Sequence, residues 1–160
     1  MKIRWKKLIL CLLIPLAVGG LSAFLTKNSM EIFKTLQKPP LSPPAKLFPF
    51  VWTILYILMG LASYIVLTSK KPSTLGLILY GVQLFFNFFW SILFFNKELY
   101  LFSFIWLVIM WFLILAATIL FYRSSKFAGY LMIPYLLWAA FAGYLNFGIY
   151  LLNWKWAKHK

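Results

Sequence analysis

Five apolar stretches, each long enough to cross a bilayer, leave this chain almost no alternative to a membrane bundle. They cover residues of about 8–26, 47–68, 74–95, 99–122 and 127–153, and none holds Asp, Glu, Lys, Arg or His in its interior. A spanning α-helix needs about 20 predominantly apolar residues. Lipid offers no partner to an unpaired backbone amide, so such runs fold as helices. A soluble domain carries about 25% charged residues; here the fraction is 11%, too small to build a wetted surface. The predicted fold is all-α: a single domain over residues 1–160, an integral membrane bundle of five transmembrane helices.

The first run follows Lys2, Arg4, Lys6 and Lys7, a pattern shared with signal peptides, and Leu21-Ser22-Ala23 loosely matches a cleavage site. Its apolar length exceeds the roughly 7–15 residues of a signal core, so a retained helix is expected. Sixteen Lys and Arg stand against only Glu31 and Glu98, giving a formal charge of +14. Such a balance raises nucleic-acid binding, but the basic residues sit at the ends of the runs and between them. There they anchor helices to anionic headgroups, so the expected partner is the lipid bilayer and not nucleic acid. They divide evenly between the two faces, and the positive-inside rule assigns no orientation. Cys11 is the only cysteine and forms no internal disulfide.

Residues 70–73, 96–98 and 123–126 make short links, which favour antiparallel neighbours. The link from Lys27 to Lys46 is longer. Within it, Met30 to Leu36 can form a short interfacial helix, and Lys38-Pro39-Pro40-Leu41-Ser42-Pro43-Pro44 follows. Proline fixes φ and biases the residue before it toward extended backbone. This segment is predicted to be a stiff strap, the long loop between the first and second spans capping one end of the bundle.

Small and polar residues in a membrane helix face other helices. In the third run Gln83, Asn87, Trp90, Ser91 and Phe94 share a face at helical spacing. In the second, Trp52, Tyr56, Gly60 and Ser63 do so; in the fifth, Trp138, Ala142, Asn146, Ile149 and Asn153. Pro15, Gly19 and Ser22 mark the first run, and Ser103, Trp106, Met110 and Thr118 the fourth. Two readings of this interior stay open. The amides can simply bond other helices, or the indoles and amides can line an uncharged pocket for a flat apolar ligand.

The chain resembles the translocator protein family, also called tryptophan-rich sensory proteins (TspO/MBR, peripheral benzodiazepine receptors). Three blocks carry the resemblance. The first runs from the proline strap into Phe50-Val51-Trp52-Thr53-Ile54-Leu55-Tyr56 and Met59 to Tyr64. The second is Phe86-Asn87-Phe88-Phe89-Trp90-Ser91. The third is Pro134-Tyr135-Leu136-Leu137-Trp138 with Phe141 to Asn146. The resemblance implies a five-helix bundle binding porphyrins, haem-like tetrapyrroles or sterol-like molecules beneath the first loop. It implies ligand contacts at Trp52, Tyr56, Asn87, Trp90, Ser91, Trp138, Ala142 and Asn146, with Phe33, Pro43 and Pro44 in the lid. Trp52 and Trp138 match the two indoles implicated in light- and oxygen-dependent porphyrin breakdown. Where Ile32-Phe33 stands, relatives often carry a tyrosine-containing pair, so no lid hydroxyl is expected from that stretch. Leu145, Tyr150 and Lys155 fit a loose sterol-contact pattern. The resemblance also implies a homodimer in a bacterial cell membrane.

Ordinary catalysis is not expected. The spans hold no carboxylate or histidine for proton transfer, and His159 lies in the tail. No metal-ligand spacing occurs, and no cofactor is required; a tetrapyrrole would be a ligand held by stacking. The leading expectation is a porphyrin receptor or sensor. The alternative is a transporter of tetrapyrroles or other lipophilic metabolites, but no internal repeat supports it.

Overall fold

A computed structural model describes the backbone of residues 2–157 and the side chains of 2–154; Lys155 as a side chain and His159 lie outside the described residues. Five long helices are each apolar enough to cross a membrane. They are α1 (Trp5–Thr26), α3 (Leu47–Thr68), α4 (Thr74–Ser91, continued by a π-helical turn over Ile92–Asn96), α5 (Tyr100–Ser124) and α6 (Lys126–Ala157). A six-residue helix, α2 (Met30–Thr35), follows α1 through a 3₁₀ turn at Lys27–Ser29, as the sequence predicted for an interfacial segment.

The molecule is apolar outside as well as inside. Phe24, Leu13, Phe112, Ile105 and Leu137 are all exposed, as suits surfaces that lipid covers. Inward faces carry the polar residues: Gln83, Asn87, Ser103 and Asn146 are buried almost completely. Pro15 of α1 and Pro134 of α6 lie within helices. Each removes one backbone bond, a loss that neighbouring helices make tolerable in membranes.

The helices close into a ring in the order α1, α3, α6, α5, α4 and back to α1. Two of the short links join ring neighbours, α4 to α5 and α5 to α6. The link from α3 to α4 does not: these helices touch only slightly, with α1 lodged beside both. Its ends show how it reaches. Ser69 and Ser73 are both extended, and the Ser73 hydroxyl accepts from the Gly76 amide to start α4. Extended residues advance about 3.3 Å each, enough to bypass one neighbour.

The close seat of α1 depends on Gly60. A Cβ there would lie 2.8 Å from the Cys11 carbonyl oxygen and 3.1 Å from the Leu12 Cα. Because these are backbone atoms, no rotamer change can make room. The Arg4 amide also donates to the Tyr64 hydroxyl at 3.0 Å, tying the start of α1 to α3.

The two halves of the bundle are filled differently. Toward the α3–α4 link, Val66, Ala117, Phe121, Ala128 and Met132 pack with no exposure, and Met59, Met110, Ile114 and Tyr135 seal the middle. Toward the strap, the helices diverge around a hollow.

Candidate functional site

The hollow is a cavity of about 150 Å³ under the strap. α1 supplies Gly19, Ser22, Ala23 and Thr26; α3 supplies Phe48, Pro49, Trp52 and Tyr56. Trp90, Ser91, Phe94 and Phe95 come from the end of α4, and Ala142, Leu145, Asn146 and Ile149 from α6. Met30, Phe33, Lys38, Ser42 and Pro43 form the roof. The π turn at Ile92–Asn96, closed by the Lys97 amide donating to the Ile92 carbonyl, lies directly at this wall. Such turns are frequent where helices serve a site.

Trp52 is central. Its ring stacks on Tyr56 (centroids 5.7 Å apart, 29° between planes), faces Trp90 at 6.2 Å and meets the edge of Tyr135 at 6.1 Å. Trp90 stacks in turn on Phe94 at 5.7 Å. Trp52 is nevertheless only half-buried, so part of its ring remains open for contact.

Hydrogen bonds fix these rings. Trp90 Nε1 donates to Asn146 Oδ1 at 3.0 Å, Ser103 Oγ donates to the same oxygen at 3.1 Å, and Asn146 Nδ2 donates to the Tyr100 carbonyl at 2.8 Å. The Tyr56 hydroxyl donates to Asn87 Oδ1 at 2.7 Å, and Asn87 Nδ2 donates to the Tyr135 hydroxyl at 3.0 Å. The Tyr135 hydroxyl donates in turn to Gln83 Oε1. An unpaired amide in an apolar setting costs roughly 2–7 kcal/mol, so this chain of side chains holds a floor beneath Trp52.

The roof is tied to the outer side of α6. The Gln37 amide donates to Asn153 Oδ1 at 3.1 Å, and Asn153 Nδ2 donates back to the Gln37 carbonyl at 2.8 Å. The Tyr144 hydroxyl donates to the Pro40 carbonyl at 2.8 Å. Between them Pro39 is buried against Gly148, where a Cβ would come within 2.6 Å of the proline ring. Beyond these three ties the strap turns at Leu41, whose φ of 67° is left-handed.

The TspO/MBR family profile matches residues 11–152. The chain belongs to the TspO/MBR family. It is 42% identical to the tryptophan-rich protein TspO of Chlorobaculum tepidum over 91% of this chain and 95% of that protein. It is 37% identical to the tryptophan-rich sensory protein of Cereibacter sphaeroides, over 78% of each chain. The translocator protein of Bos taurus is 33% identical over 84% of this chain and 83% of its own. The chain is thus a multi-pass integral membrane protein of a family whose members carry sensory and translocator names.

Within this TspO/MBR bundle, six residues expected at the ligand face the cavity together: Trp52, Tyr56, Trp90, Ser91, Ala142 and Asn146. Asn87 does not line it; both ends of its amide are taken by Tyr56 and Tyr135 below the floor. Trp138 stands behind the wall, with its ring against Phe48 at 6.1 Å. It borders a lipid-side groove with Val51, Leu55 and Leu58, and its Nε1 is buried with no acceptor. In the roof, Phe33 and Pro43 line the cavity, while the Pro44 carbonyl accepts the Leu47 amide at the start of α3. Phe33 brings no hydroxyl; its buried ring meets Phe48 and Phe95. Sequence reasoning missed Tyr135, Tyr144 and Gly148. Gly148, four residues beyond Tyr144 and five before Asn153, was the available signal of a close approach.

Proposed function

We propose that this protein is a membrane receptor for porphyrins and related flat apolar ligands, in a bacterial cell membrane, and that the cavity under the strap is the ligand site. The observation that carries the proposal is the half-open ring of Trp52, held by Tyr56, Trp90 and Tyr135 at the wall of a predominantly apolar cavity. Aromatic faces attract flat rings by offset stacking. The filled half of the bundle beneath the floor favours a receptor over a through-going transporter, because Met59, Met110 and Tyr135 leave no space there. Titration of the purified protein with a porphyrin is expected to quench tryptophan fluorescence saturably, at one ligand per chain. Quenching that rises linearly without saturation, as simple partition into the membrane mimic would give, refutes the reading.

Ligand pockets usually measure about 300–1,000 Å³, so the cavity of about 150 Å³ must enlarge to take a tetrapyrrole. The strap is the wall that can move, and its ties to α6 set the rate. Gly148→Val would unseat Pro39, and adding Tyr144→Phe would release Pro40. The double variant is expected to speed both binding and release of porphyrin at least about tenfold, since the lost hydrogen bond alone contributes ~1–1.5 kcal/mol. Stopped-flow quenching checks this; unchanged rates would show that the ligand does not pass the strap.

A further inference from the structure

The cavity is uncharged except at one point. Lys38, in the roof, is the only charged side chain along its lining among the described residues. Its ammonium lies 4.8 Å from the centre of the Phe33 ring. It donates to the carbonyls of Lys34 and Leu36, at 3.4 and 3.3 Å, where α2 ends. These contacts fix the nitrogen's position but do not neutralise it. Glu31 is taken by Lys34 at 2.7 Å, and among the described residues no carboxylate pairs with Lys38. An ammonium has three donor hydrogens, and two are used. The result is a positioned cation with a donor to spare beside an apolar, ring-lined hollow.

Lys38 lies in the segment between α2 and α3, outside the spanning helices, whereas Trp52 and Trp90 lie within them. A ligand filling the cavity would place its apolar body against those rings and whatever projects toward the roof next to the lysine. Amphipathic molecules keep charged groups at this interfacial level.

We propose that Lys38 is a specificity-determining residue that selects ligands bearing a carboxylate on an apolar body and orients that carboxylate toward the strap. This rests on the reading of the cavity as a porphyrin-type site. The ligand's carboxylate replaces the missing counter-charge, and the apolar remainder enters the hollow. Charge-assisted bonds are roughly twice as strong as neutral ones, so the acid should be preferred to its neutral ester.

The test uses the full chain in nanodiscs of zwitterionic lipid. Protoporphyrin IX and its dimethyl ester are titrated into wild type, Lys38→Met and Lys46→Met, the last altering an exposed lysine outside the cavity lining. Wild type and Lys46→Met are expected to bind the acid about tenfold more tightly than the ester. Lys38→Met should lose that preference through weaker binding of the acid, with ester affinity held within about twofold. An equal loss for acid and ester would show that Lys38 merely caps α2, and overturn the proposal. So would an undiminished preference for the acid in Lys38→Met. A wild-type ratio near one, with anionic lipid co-purifying with wild type but not with Lys38→Met before reconstitution, would assign the lysine to a lipid phosphate and also overturn it. Wild type that binds neither form refutes the porphyrin site itself, a failure distinct from equal binding of both.

Discussion

Gly60→Ala is expected to destabilise the protein by roughly 1–3 kcal/mol, the usual cost of overpacking a tight interface. Gly20→Ala and Gly81→Ala, by contrast, should be neutral or stabilising by up to about 1 kcal/mol, the helix-propensity gain. All three replace a helical glycine with the same methyl group, so propensity alone predicts the same result for each. Space decides between them. A Cβ at Gly20 or Gly81 meets nothing within 4 Å, whereas at Gly60 it meets the backbone of Cys11 and Leu12. α1 must then retreat from α3, and it carries Gly19, Ser22, Ala23 and Thr26 at the cavity wall. Thermal unfolding in detergent, followed by loss of soluble protein, checks the ranking. A Gly60→Ala midpoint equal to that of Gly81→Ala would show that α1 does not pack on α3 as described.

The bundle was legible because its strongest signal needs no tertiary knowledge. A charge such as Lys97 or Arg123 cannot sit in lipid, so the charged residues mark where each span ends. The ring order was not legible. Nothing in Lys70 to Ser73 says that the link passes beside α1 and does not fold α4 back against α3. The polar faces were readable as faces but not as surfaces of a cavity. Asn87 lies on the inward side of α4, as its spacing predicts, yet whether an inward amide meets a ligand or another side chain depends on the opposite helix. Here the opposite helices present Tyr56 and Tyr135, and their hydroxyls occupy it. The strap shows the same limit: its prolines foretell stiffness, but Tyr144 and Gly148 lie more than a hundred residues away and only the fold brings them to Pro40 and Pro39.

The two tryptophans that the family resemblance treats alike should behave differently. Trp52→Ala is expected to weaken porphyrin binding roughly 30- to 100-fold, through loss of about 2–2.7 kcal/mol of aromatic burial and stacking. Trp138→Ala should change it less than about fivefold, since an indirect shift of Phe48 is worth less than ~1 kcal/mol. Helix geometry explains the difference. At about 100° per residue, Tyr135 falls some 20° from Asn146 around α6, while Trp138 falls some 80° away. Trp138 therefore occupies the edge of the α6 stripe and turns toward the outer flank of α3, where it borders Val51, Leu55 and Leu58. Trp52 has no such escape: Tyr56, Trp90 and Tyr135 hold it on the cavity side. Paired titrations of the two variants decide the matter, with Trp52→Phe as a control that keeps a ring and should recover most of the affinity. Equal losses at both positions would mean that the ligand reaches past Phe48, so that the bound cavity extends through the α3–α6 wall.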